Sequence, residues 1–283
     1  MGFTVEFILN VSRSKIRGAN KICFALLALA IVALCTTPLA ASGQENDTSS
    51  SQKPILMYVL STRDDNSHWY KDPADLNPLI ETLAESGYMA EIEDETTLPT
   101  ISIQKMYNYD QIWILEGDWD DVVEVTPEEA DDLYRYYENG GGVWISLEAA
   151  YTPDKLYGVW NEDALVFARR FGVDYDSYDT SDRAGKMVSS DHPLLEGINY
   201  LCFDESCGCI KSDDPRGAIL WKYSPVCPGI IAMDDRASDR GRAVIDSGWV
   251  MGYAYFDRND DLQFSLNVAR WLSNNHPSLY WII

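Results

Sequence analysis

TPEEADDLYRYYENGGGVWISLEAA, residues 126–150, sets the class of fold. Thr126, Pro127 and Glu129 form a capping box with proline in the first helical position, so a helix starts there. Ala130, Leu133, Tyr134 and Tyr137 recur at helical spacing and supply its apolar face. Gly140 stops it, and an uninterrupted apolar run, Val143 to Leu147, follows. Such a run suits a strand buried on both sides, which is where parallel strands sit. A helix leading through a glycine turn into a doubly buried strand is one unit of a parallel α/β sheet.

The same rhythm extends outward on both sides. KPILMYVL, Lys53 to Leu60, is a second continuous apolar run, opened by Pro54. Asp72-Pro73 reads as N-cap and N1 of a helix whose Leu76, Leu79, Ile80 and Leu83 face inward and which Gly87 ends. Tyr88–Ile92 and Asp110–Leu115 predict two more strands. The expected fold is a doubly wound, mostly parallel α/β sheet. Beyond residue 150 the pattern loosens. A helix is expected over Asp163–Phe171, then a polar stretch rich in Asp, Ser and Tyr to about Lys186. Short β runs are expected at Tyr200–Phe203, Ala218–Tyr223, Ile230–Met233 and Ala243–Ile245. Asn259 is expected to cap a last helix, with Leu262, Leu266, Ala269 and Leu272 facing the core. No internal repeat is present.

The amino terminus reads as a targeting segment. Arg13, Lys15, Arg17 and Lys21 precede an apolar run, Ile22 to Leu34, that is short for a membrane span. Small residues at Ala40, Ala41, Ser42 and Gly43 then offer a cleavage site, so residues 1–43 are expected to be an export signal. The competing reading is an uncleaved anchor, and bulky Leu34 argues against a lipid on Cys35. Residues 44–53 form a polar linker, which carries the glycosylation sequon at Asn46. Residues 54–275 then make one α/β domain, followed by a tail over 276–283. Residues 1–43 hold four basic groups and one acid, so their removal moves the formal charge from −23 to −26. That acidity disfavours nucleic acid and anionic membrane faces as partners.

Three stretches carry a family resemblance: VTPEEADDLYRYYENGGGVWISLEAA, DHPLLEGI, and GRAVIDSGWVMGYAYFDRNDDLQFSLNVARWL. Together, over Pro54 to Ser273, they resemble the class I glutamine amidotransferase-like superfamily, whose sheet is flavodoxin-like. The similarity is to its non-catalytic branches, the GIFT-type domains of intraflagellar-transport and gliding proteins and the trehalose-utilisation-like proteins. Gly241-Arg242, Asp246-Ser247 and the aromatic, acidic segment before the last helix match the family's closing motif, although Asn259 stands before the Asp pair and not after it.

Amidotransferases need a cysteine on the elbow after the fourth strand and a histidine to activate it. Here Glu148 fills that place, and no cysteine occurs between Cys35 and Cys202. Ser146 is adjacent, but strand alternation points it inward and no G-x-S-x-G turn surrounds it. Of three histidines, His192 and His276 precede proline and His68 lies after the first strand. No catalytic residue is therefore assigned. The carboxyl ends of three strands lead instead to Asp64 and Asp65, to Glu116 and Asp118, and to Glu148. Ligands of open parallel sheets bind at those ends. These acids could take a cation or sugar hydroxyls, or simply reflect an acidic surface. The expectation is no resident cofactor and no dedicated metal site, with weak divalent-cation binding at most.

Cys202, Cys207, Cys209 and Cys227 form an even cluster, which in an exported chain predicts two disulfides stapling a β insertion. A Cys207–Cys209 bridge would be strained, so each is expected to pair with an outer cysteine. Zinc is the alternative, without a C-x-x-C pair to favour it. Three functions follow from these residues. The first is an exported, non-enzymatic binding module for a protein or carbohydrate at the cell surface. The second is a self-associating envelope or sheath subunit. The third is a hydrolase or sugar-active enzyme that uses the rim carboxylates.

Overall fold

A computed structural model describes residues 53–60, 76–94, 97–116, 125–147, 162–178, 186–187, 191–201, 208–224, 227–247 and 260–273. The chain divides into Met1–Ser51 and Gln52–Ile283, and every described residue belongs to the second unit.

Strands β1 (Lys53–Leu60), β2 (Tyr88–Asp94), β3 (Gln111–Glu116), β4 (Gly142–Ser146) and β10 (Arg242–Asp246) lie parallel in the order β2-β1-β3-β4-β10. This is the flavodoxin-like order, with the fifth position taken by a strand from near the end of the chain. The sheet continues antiparallel through β9 (Cys227–Asp234), β8 (Gly217–Ser224) and β6 (Lys186–Met187). A separate antiparallel ribbon pairs β5 (Val173–Tyr178) with β7 (Gly208–Ser212).

Strand alternation splits the core into two layers, as a sheet covered on both faces requires. Ile55, Met57, Val59, Trp113, Leu115, Trp144 and Val244 face one side. There α1 (Asn77–Glu85) and α5 (Asp261–Ser273) cover them with Leu79, Leu83, Phe264, Val268 and Leu272. Trp113 meets Trp144 edge-on at 4.7 Å, and Trp144 meets Phe264 at 5.9 Å. Leu56, Tyr58, Ile112, Ile114, Val143, Ile145 and Ile245 face the other side. They lie under α2 (Ile103–Met106), α3 (Pro127–Glu138) and α4 (Glu162–Arg170).

The capping box forms as expected: Thr126 Oγ1 accepts from Glu129 N, and Glu129 Oε2 accepts from Thr126 N at 2.9 Å. The glycines that follow have distinct causes. Gly140 takes a φ of 95°. At Gly141 a Cβ would lie 2.1 Å from the ring of Tyr136. This also corrects the predicted helix face. Tyr136 is fully buried, its hydroxyl donating to Tyr109 O at 2.9 Å, while Tyr134 is only partly covered.

Other expectations change. Helix α1 begins at Asn77 with Pro78 in its first turn, and the Asp72-Pro73 cap lies outside the described residues. The polar stretch after α4 contains strand β5, hidden in sequence because Val173 and Tyr175, which pack against the core, stand among Asp and Ser residues. Tyr200 and Leu201 are not in a strand, since the N–H groups of Asn199 and Tyr200 donate to the Asp260 carboxylate. The rest of that predicted run, Cys202 and Phe203, lies outside the described residues, as does the predicted cap Asn259. Helix α5 starts at Asp261, and its Leu262, though only partly buried, packs against the core as expected.

Cys209 and Cys227 are joined in a disulfide that ties ribbon strand β7 to sheet strand β9. Cys202 and Cys207 lie outside the described residues.

Candidate functional site at the carboxyl edge of the sheet

The chain leaves β1 towards β2 on one side and returns to β3 on the other, so the order reverses between β1 and β3. Open α/β sheets hold ligands beyond the carboxyl ends of their strands at such a point. Register aligns these ends: Leu60 pairs with Glu116, Leu115 with Ser146, and Ser146 with Asp246. Connections at this edge are long, over residues 61–76, 117–126, 147–161 and 247–260. At the opposite edge α1 reaches β2 through residues 86–87, and α3 reaches β4 through residues 139–141. Long connections on a rigid frame are where binding residues collect.

Of the acids read from sequence, Glu116 ends β3. Asp64, Asp65, Asp118 and Glu148 lie outside the described residues, on the connections that follow β1, β3 and β4. The sheet thus brings three strand ends to one edge. Among the described residues no group of three or more His, Cys, Asp or Glu is placed to hold a metal.

Beneath this rim is a buried carboxylate, the first residue of the Asp246-Ser247 pair. Asp246, fully buried at the end of β10, accepts from Trp144 Nε1 at 2.6 Å and from Ser146 Oγ at 3.0 Å. Its backbone carbonyl accepts from Leu147 N at 3.0 Å, fixing the first residue past β4. A buried carboxylate is tolerated only with such donors. The signal in sequence was a pair of polar residues, Ser146 and Asp246, ending apolar strands that lie side by side.

This geometry decides what Ser146 can do. A nucleophilic hydroxyl must reach substrate and pass its proton to a base. Ser146 is fully buried and its proton is engaged by Asp246. His192, the described histidine, stands near the other end of β10: its ring lies 5.4 Å from that of Trp271, which stacks on the Arg242 guanidinium at 4.6 Å. Arg242 and Asp246 are separated by about 13 Å of strand. His192 is partly buried and its pKa is pushed down, first by desolvation and then by Arg242. His68 and His276 lie outside the described residues.

The opposite, amino edge holds polar ties that read as structural. Gln111 donates to Ala269 O at 2.9 Å and to Ser273 Oγ at 2.7 Å, and accepts from Trp113 Nε1. Arg216 pairs with Asp214 and Asp235, and Asp235 also accepts from Tyr137 OH at 2.7 Å. Gly241 packs against the Gly141 carbonyl so closely that a Cβ would lie 1.9 Å from that oxygen.

No family model and no curated protein matches the chain. Solved structures do. The N-terminal domain of mmIFT52 is similar at 12% identity and a TM-score of 0.52, covering 78% of this chain and 98% of that one. A cytoplasmic protein from Salmonella typhimurium is similar at 15% identity and a TM-score of 0.53, covering 77% and 98%. A glutamine amidotransferase from Thermotoga maritima aligns at 11% identity and a TM-score of 0.45, covering 78% and 89%. The first two establish that this chain has the same doubly wound α/β fold as proteins of nearly its domain length.

Proposed function

We propose that this protein is an extracytoplasmic, non-enzymatic binding module on an amidotransferase-like scaffold, with its ligand crevice at the carboxyl ends of β1, β3 and β4. One observation carries the reading: the hydroxyl beside the elbow, Ser146, is sealed under the rim and locked to Asp246. That hydroxyl serves here to hold the strand end in register, and Glu148 stands where relatives of this architecture would keep a nucleophile. Support for export comes from the Cys209–Cys227 disulfide, a bond that persists in oxidising compartments. Among the described residues no helix is long and apolar enough to cross a membrane. The ligand class is a protein or carbohydrate surface that accepts carboxylates, with divalent cations held weakly.

A second reading has one observation in its favour. Strands β3 and β4 are adjacent, at about 4.8 Å, so Glu116 and Glu148 leave neighbouring strand ends. A retaining glycosidase needs two carboxyl groups about 5 Å apart. Purified protein and a Glu148→Ala variant, assayed on amidase, esterase and glycosidase substrates, separate the two. The binding reading expects no turnover from either. Robust turnover lost in the variant overturns it in favour of the carboxylate pair.

A further inference from the structure

Residues 191–201 run as a strap along α5. At the lower end, His192 packs on Trp271, near the amino edge where Trp271 O accepts from Arg242. Midway, Asn267 of α5 donates to Leu194 O at 3.2 Å and Glu196 O at 2.8 Å. At the upper end, Asp260, just before α5, accepts from the N–H groups of Asn199 and Tyr200 at 2.6 and 3.0 Å. The carboxyl end of α5 is fixed beside the first residues of β3 and β10 by Gln111 and Arg242. Its thirteen residues span about 20 Å, so Asp260 and the half-exposed Tyr200 stand at the carboxyl edge. Leu194, Leu195, Ile198 and Leu201 are buried by this arrangement.

We infer that the strap is a proton-sensitive latch: neutral His192 fastens it and protonated His192 releases it. The His192 side chain caps the 3-10 turn Pro193–Leu195, its Nδ1 accepting from Leu194 N at 3.3 Å. A neutral imidazole has one acceptor nitrogen, whereas an imidazolium has two donors and none. Protonation therefore turns the cap into a donor facing a donor. The surroundings offer the new charge little. From β10 faces the guanidinium of Arg242, which opposes it, and from α5 the uncharged ring of Trp271. From β9 faces Asp234, which favours it but already pairs with Arg236 and Arg242. Burial and Arg242 together depress the His192 pKa. A histidine so depressed stabilises the native state above its unfolded value of about 6.5, and that contribution is lost as pH falls below it. Because the strap ends in Tyr200 at the carboxyl edge, its release alters the flank of the proposed crevice; the latch itself stands without that reading.

Hydrogen exchange of the full chain tests this, with rates corrected for intrinsic pH dependence, at pH 7.5 and pH 5. Protection of the Leu194, Leu195 and Ile198 amides is expected to fall roughly threefold to tenfold at the lower pH, the worth of one hydrogen bond. In His192→Asn, whose amide oxygen caps without titrating, the same amides should keep their protection at both values. The interior of β4, Val143 to Ile145, serves as the reference that stays constant. Unchanged wild-type protection overturns the latch, and so does a fall that persists in His192→Asn. Ligand or cation binding enters neither readout, so failure here leaves the crevice reading intact.

Discussion

At its amino end β10 starts with Arg242, stacked on Trp271 and paired with Asp234. At its carboxyl end the same strand finishes with Asp246, a carboxylate held by the neutral donors Trp144 and Ser146. The first end sits among close backbone contacts and short connections, where Gly241 touches Gly141 and α3 reaches β4 through residues 139–141. The second sits under connections of ten residues or more. The lesson is a division of labour. Interlocking contacts at the amino edge hold the sheet together, and the carboxyl edge keeps a buried floor beneath long connections. Function is therefore expected where the chain spends length, above Asp246.

Substitutions can break this contrast. Gly241→Ala is the harshest, because its Cβ would meet the Gly141 carbonyl oxygen and neither backbone can yield. A loss of about 4 kcal/mol is expected in denaturant unfolding. Asp246→Ala leaves the buried Trp144 Nε1 and the Ser146 hydroxyl without their acceptor, at a cost of about 3 kcal/mol. A cost near zero would show that the carboxyl edge is not fastened through Asp246.

Arg216→Met removes the cation between Asp214 and Asp235 and should cost about 2 kcal/mol near neutral pH. Hydrogen bonds from Arg216 hold the Asp214 carboxyl below its ordinary value of 3.8. A carboxyl with a depressed folded pKa stabilises the native state above the unfolded value and loses that as pH falls through the folded one. The gap between wild type and Arg216→Met should accordingly narrow in acid below 3.8. A constant gap would assign the loss to packing of the side chain. The smallest effect is expected from Thr126→Ala, about 1 kcal/mol for the lost cap, measured as a shift in thermal midpoint.

Much of the frame is determined by sequence because its signals are local. The capping box at Thr126, the apolar runs of β1, β3, β4 and β10, and the spacing of Leu79 and Leu83 each arise within one element. Periodicity and caps need no partner to be read. The acids Glu116 and Glu148 could also be placed near strand ends, since that follows from where apolar runs stop.

Tertiary structure decided the rest, wherever a residue's role depends on a distant neighbour. Strand β5 exists because β7 offers it a ladder from across the insertion, and its own composition is mostly polar. Tyr136 joins the core beside the partly buried Tyr134 because Gly141, in the turn before β4, leaves room for its ring. Asn199 and Tyr200 forgo a strand because Asp260, sixty residues on, takes their N–H groups. Ser146 becomes a buried tie and not an exposed hydroxyl only because β10 sets Asp246 beside it. A sequence fixes which backbone groups and side chains need partners, and only the fold, by bringing distant segments together, decides which partner each one finds.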